Sequence, residues 1–133
     1  MIIDASIGVK WLVPEADSEQ AVRLLEKGPL YVPSLFHAEV ANALWAKARK
    51  GEIDLDRVEP VSSLAHVVTD LNDADYVARA LDLARELDHP VYDCIYLAAA
   101  EALGCTLTTA DERFVRKLAK TAFENVVAPL VVQ

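Results

Sequence analysis

The stretch that most constrains this chain is Tyr92–Phe114, YDCIYLAAAEALGCTLTTADERF. Between Asp93 and Leu103 it is apolar on nearly every side. That pattern predicts a helix buried inside the fold rather than laid on its surface. Only Asp93, in the first turn, and Glu101, near the end, carry charge. Gly104 is the residue type that lets a helix stop in a left-handed turn. Cys105–Thr108 then predicts a short buried strand leading to Asp111 at the mouth of another helix. A helix of about 11 residues at ~1.5 Å each spans roughly 17 Å. A returning strand of about five residues at ~3.3 Å each spans nearly the same distance. Helix out and strand back therefore place Asp93 and Asp111 at one edge of a sheet.

The flanking segments fit that unit. Met1–Ile3 predicts a strand ending at Asp4, and Ile7–Val13 has helical spacing up to Pro14. A second helix runs from Asp17 or Ser18 to Lys27, with Ala21, Val22, Leu24 and Leu25 on one face, and Gly28-Pro29 stops it. Leu30–Val32 predicts a strand, and Leu35–Lys50 a helix whose buried stripe is Phe36, Val40, Ala43 and Leu44. Gly51–Asp73 is poorly patterned: Asp54 or Asp56 suits a cap, Pro60 would kink a helix, and His66–Leu71 suits a short strand. Asp73 or Asp75 caps a helix to Leu87, with Val77, Ala80, Leu81 and Ala84 inward. Beyond the central stretch, a helix extends from Asp111 to about Lys120, then a strand near Asn125–Val127, and Val131-Val132 suits an edge pairing. Strands alternating with helices over 133 residues indicate one α/β domain, 1–133, with a parallel sheet covered on both faces.

In such sheets, sites form outside the carboxyl ends of the strands. Asp4 is there, equally suited to capping the next helix. Glu39 borders the apolar stripe of its helix, where a carboxylate costs desolvation energy unless a cation compensates or it reaches solvent. Asp93 suits the positive end of its helix, and Asp111 an N-cap. Singly, each acid has such a structural role; together, the four converge on one rim. A cluster of this kind repels itself unless a hard cation such as Mg²⁺ or Mn²⁺ neutralises it. Ser6 and Thr109 add neutral oxygens that suit either a water or phosphate oxygen, or the local backbone. His37, His66 and His89 lack zinc-type spacing and read as surface or capping residues. Lys10, Arg113, Arg116, Lys117 and Lys120 are candidates to meet phosphate, or else solvated positions.

The formal net charge of −8 argues against non-specific gripping of nucleic acid by the whole surface. It leaves open a phosphate site built on a bound cation. No apolar run approaches the ~20 residues of a spanning helix, and no secretory signal is expected at the N-terminus. Cys94 and Cys105 read as core thiols of a reducing, cytoplasmic setting. A carboxylate-held ion at such a rim suits in-line hydrolysis of a phosphodiester. The competing reading is a non-catalytic metal- or protein-binding module whose acids are only caps. A phosphohydrolase with an aspartyl nucleophile fits less well, because Ser6 stands where a second acid is expected.

Four pieces, MIIDAS, HAEVANAL, YDCIYLAAAEALG and TLTTADERF, occur in the order seen in PIN-domain proteins, and the chain resembles the VapC-type toxins among them. The resemblance implies a three-layer α/β/α fold with a five-stranded parallel sheet. It also implies a Mg²⁺- or Mn²⁺-dependent endoribonuclease whose metal-site acids are Asp4, Glu39, Asp93 and Asp111. Thr109 falls where the family often has a hydroxyl, and Glu112 stands beside the fourth acid. The candidate catalytic set is thus the four acids with Ser6 and Thr109. Further implications are structured RNA such as tRNA as substrate, a homodimer, and a small antitoxin partner that carries any DNA binding. Trp11, Leu44 and Trp45 are candidates for an apolar groove to receive that partner, or for core packing.

Overall fold

The computed structural model describes residues 1–131. Its strands are β1 (Ile2–Ile3), β2 (Tyr31–Pro33), β3 (Thr69–Leu71), β4 (Leu107–Thr109) and β5 (Val127–Pro129). They form one parallel sheet in the order β3-β2-β1-β4-β5. The helices are α1 (Ala5–Leu12), α2 (Ser18–Arg23), α3 (Leu35–Arg49), α4 (Val77–Leu87), α5 (Val91–Leu103) and α6 (Glu112–Leu118). The chain steps outward from β1 to β3 on one side, then returns to build β4 and β5 on the other. Parallel crossovers are right-handed, so α1–α3 cover one face of the sheet and α4–α6 the opposite face. The packing agrees: α1 lies against α2 and α3, α4 against α5, and α6 against β5.

The expected buried helix is α5. Cys94–Ala100 are all buried, and the helix packs against β1, β2 and β4. It ends where Gly104 adopts φ 62° and its N–H bonds back to the last turn. On the other face, α1 and α3 approach closely at Gly8. A Cβ there would lie 2.6 Å from Phe36 Cζ and 2.8 Å from Val40 Cγ2. Phe36, Val40 and Leu44 form the buried stripe of α3 as expected, whereas Ala43 is only partly buried at its edge.

Other expectations need correction. The second helix is α only to Arg23 and continues as a 3₁₀ turn, Leu24–Glu26. Ala21 and Leu24 are buried there, but Val22 and Leu25 are exposed. Asp73–Asp75 form a separate 3₁₀ turn, so α4 begins at Val77. Its buried residues are Ala80 and Leu83, whereas Val77 and Leu81 are exposed. Both helices bury a stripe narrower than their apolar residues would cover. Between α3 and β3 the chain makes 3₁₀ turns at Leu55–Arg57 and Val61–His66, and Pro60 leads into the second instead of kinking a helix. β5 starts two residues later than predicted because Val126 N–H bonds to Phe123 O and holds a turn. Of the edge pairing predicted at Val131-Val132, Val132 lies outside the described residues. Leu44 is core, Trp11 is half-buried and donates Nε1–H to Ala21 O at 2.7 Å, and Trp45 is exposed.

Candidate active site

The strand order reverses between β1 and β4, and the crevice outside their carboxyl ends is where an open α/β sheet places its ligands. Ile3 pairs with Thr108, which carries Asp4 and Thr109 to the same level just beyond. Asp4 is the N-cap of α1, Oδ1 accepting the Ser6 N–H at 3.1 Å. The Ser6 hydroxyl donates to that same oxygen, and the Thr109 hydroxyl donates to Oδ2. Each hydroxyl oxygen is oriented by a backbone donor in turn, Ala110 N–H to Ser6 Oγ and Asp111 N–H to Thr109 Oγ1, both at 2.9 Å. Ser6 and Thr109 therefore serve both the backbone and Asp4. Burial pushes the Asp4 carboxyl up to about 6. The two hydroxyl bonds oppose that rise, and the negative charges of Asp93 and Asp111 add to it.

Asp111 is the N-cap of α6, with Oδ1 accepting from Arg113 N–H at 3.0 Å and Phe114 N–H at 3.2 Å. Asp93, in the first turn of α5, accepts from His89 Nε2 at 2.6 Å. The His89 ring packs against Phe114, centroids 4.8 Å apart. Glu39 does not simply reach into solvent. It is half-buried, and Oε1 accepts the Tyr96 hydroxyl at 2.7 Å. Burial raises the Glu39 carboxyl above its usual range, against the Tyr96 bond and with the charges of Asp93 and Asp73 adding. Burial also raises the Tyr96 phenol far above its ordinary range, so it remains the donor. Asp4 thus senses Asp93 and Asp111, and Glu39 joins through Asp93. Glu112 is exposed and lies 3.7 Å from Arg116.

Residues 1–120 match the family described as PIN domain. The chain belongs to the PIN domain family. It is 33% identical over 122 residues to the ribonuclease VapC3 of Pyrobaculum aerophilum, covering 88% of this chain and 93% of that relative. The crystal structure of PAE2754 from the same organism matches 97% of this chain and 82% of its own, at 25% identity and a TM-score of 0.68. A toxin–antitoxin complex from Klebsiella pneumoniae shares the fold, with TM-score 0.67, 17% identity, and coverage of 99% and 98%. The three-layer architecture and the VapC-type PIN resemblance read from the sequence stand on these matches together with the sheet described above.

In this PIN domain the donor set suits a hard divalent cation, being carboxylate oxygens only. Among the described residues, no Lys or Arg is ion-paired with Asp4, Glu39, Asp93 or Asp111. Nor do any three His, Cys, Asp or Glu side chains among them enclose a common point. The bases offered for phosphate are partly committed elsewhere. Lys10 pairs with Glu15 at 3.0 Å, and Lys117 donates to Asp88 O at 2.5 Å. Both cysteines are free, and burial with the Asp93 charge pushes the Cys94 thiol up to about 11, consistent with a core thiol.

Sequence reasoning missed Tyr96, His89 and Asp73. His89 is a site neighbour rather than a surface or capping histidine, and its i,i+4 spacing to Asp93 was the available sign. Tyr96 showed only as a hydroxyl on an otherwise apolar helix, where a buried Tyr needs a partner. Asp73 accepts the Leu35 N–H at 2.8 Å, capping α3 from another part of the chain.

Proposed function

We propose that this PIN domain is a divalent-metal-dependent endoribonuclease and the toxin of a toxin–antitoxin pair. One observation carries the reading: beyond β1 and β4, Asp4 feels the negative charges of Asp93 and Asp111, and Glu39 that of Asp93, while no Lys or Arg among the described residues is ion-paired with any of the four. The likeness to a VapC ribonuclease supplies the reaction class. Asp4, Glu39, Asp93 and Asp111 would hold Mg²⁺ or Mn²⁺. A bound ion of this kind supplies a water of lowered pKa and positive charge beside a leaving oxygen. Ser6 and Thr109 orient Asp4 through both of its oxygens, and His89 orients Asp93.

The proposed substrate is structured RNA such as tRNA, and the setting is the cytoplasm. No helix among the described residues is long and apolar enough to cross a membrane. We further propose a homodimer and a small antitoxin, whose basic segment would complement the net charge of −8 and which would carry any DNA binding.

The test is incubation of the purified protein with total RNA and Mg²⁺ or Mn²⁺. Parallel reactions contain EDTA, or protein carrying Asp4→Asn or Asp93→Asn. Discrete fragments are expected from the wild type alone. Losing a metal ligand removes several kcal/mol of charge stabilisation, on the order of 10³-fold in rate. Absence of cleavage, together with no metal-induced rise in melting temperature, would replace this reading by the non-catalytic binding module.

A further inference from the structure

We infer that Tyr96 is a positioning residue for Glu39: its buried hydroxyl fixes one carboxylate oxygen so that the other is presented for metal binding. The inference rests on the nuclease reading above, in which Glu39 is a ligand.

Tyr96 lies on α5 among Cys94, Ile95, Leu97 and Ala98, and only 1% of it is accessible. Packing alone would be served by a phenylalanine. A hydroxyl buried there without a partner costs about 1–3 kcal/mol, so its bond is what makes it tolerable. That bond reaches across 57 residues of sequence to Glu39 Oε1, joining α5 on one face of the sheet to α3 on the other.

Glu39 needs such a restraint more than the other acids do. Asp4 and Asp111 are short side chains already held by their own helix caps, and Asp93 is held by His89. Glu39 sits inside a helix with no cap to hold it, and a glutamate has more rotamer freedom to lose on binding. Tyr96 Oη is the hydrogen-bond donor assigned to its carboxylate. Pinning Oε1 selects one rotamer and leaves Oε2 as the remaining ligand atom. Partners of this kind, which orient a ligand without touching the ion, typically alter metal affinity by about 10–100-fold when removed.

The experiment is calorimetric titration of Mn²⁺ into the EDTA-stripped full chain. Four proteins are compared: wild type, Tyr96→Phe, Glu39→Gln and the double variant. Melting temperatures are recorded in EDTA for each. Tyr96→Phe is expected to weaken Mn²⁺ binding about tenfold or more. In the Glu39→Gln background the same change should weaken it no further, because the group it orients is already gone. A purely structural tyrosine would instead lower the melting temperature and leave the affinity, read well below that temperature, unchanged. That result overturns the inference while the nuclease reading stands. So does a Tyr96→Phe loss that adds in full to that of Glu39→Gln. Wild-type protein that takes up no Mn²⁺ would overturn the metal site itself and this inference with it.

Discussion

Just past the C-terminal end of α1, Glu15 lies 3.0 Å from Lys10 and 3.5 Å from Lys47, and Lys47 is also 3.8 Å from Glu52. At the N-terminal end of the same helix, Asp4 has the hydroxyls of Ser6 and Thr109 and one N–H, and senses two further acids. The chain therefore has the means to neutralise a carboxylate within a few residues of the rim and does not use it there. Hydroxyls and N–H groups orient a carboxylate without cancelling its charge, whereas a lysine would do both. In the proposed reading, the difference separates acids that hold the fold together from acids that would take up an external cation. Strongly shifted groups beside like charges in a cleft are a physical sign of a functional site.

The sharpest way to break that comparison is to titrate it. Asp4 holds its proton up to about 6 when folded, against an ordinary aspartate value of 3.8. Between those limits Asp4 binds more of its proton in the folded chain than in the unfolded one, so its contribution to stability falls as pH rises. The expected loss is about 3 kcal/mol from Asp4, read by urea denaturation in EDTA between pH 4 and 7.5. Glu39, shifted the same way, adds with the same sign. At neutral pH, Mn²⁺ at a hundred times its dissociation constant should restore about 2.7 kcal/mol. Asp4→Asn should remove most of the slope. Stability that stays flat or climbs over this range in EDTA would mean that Asp4 is neutralised by the protein after all.

The same two regions show what could be read from the sequence. Asp4, Asp93 and Asp111 were legible because each follows a strand or opens a helix, and the lengths of α5 and the returning strand set their level. Glu39 was legible as an oddity beside an apolar stripe, but its partner was not, since Tyr96 is 57 residues away and meets it only once both faces of the sheet are in place. The Lys10–Glu15–Lys47 arrangement was hidden because it forms only once α3 packs against α1, and Lys10 was instead offered as a phosphate contact. Helix faces failed where an apolar set admits more than one orientation. In α4 the expected Ala80 is buried, but Leu83 joins it in place of Val77 and Leu81, which are exposed. The 3₁₀ turns between Gly51 and Asp73 carry no periodicity to detect.

Between the two ends lies Gly8, and its smallness keeps α1 seated on α3. Gly8→Ala is expected to cost about 1–3 kcal/mol in urea denaturation, typical of forcing a methyl into a packed core. The contacts it would meet include the stiff Val40 side chain at 2.8 Å and the buried Phe36 ring. The variant should also change Mn²⁺ affinity little if the rim is set by β1 and β4 rather than by the depth of the helix. A neutral or stabilising outcome would show that α1 can shift, and that the spacing of its two ends is not fixed by this contact.

The smallest effect is expected at the neutralised end. Lys47 is 31% exposed, and on its loss Glu15 keeps Lys10 at 3.0 Å. A pair of this exposure contributes about 0–1 kcal/mol because water already screens it. Lys47→Ala should therefore lower stability by less than about 1 kcal/mol, and at ~1 M salt, where the screening length is about 3 Å, most of that difference should vanish. RNA cleavage and Mn²⁺ affinity should be unchanged, since the lysine neutralises acids that take no part at the rim. If Lys47→Ala instead weakened Mn²⁺ binding severalfold, the two ends of α1 would be one electrostatic system. The absence of cations beside Asp4 would then reflect a balance across the helix rather than a site kept apart from it.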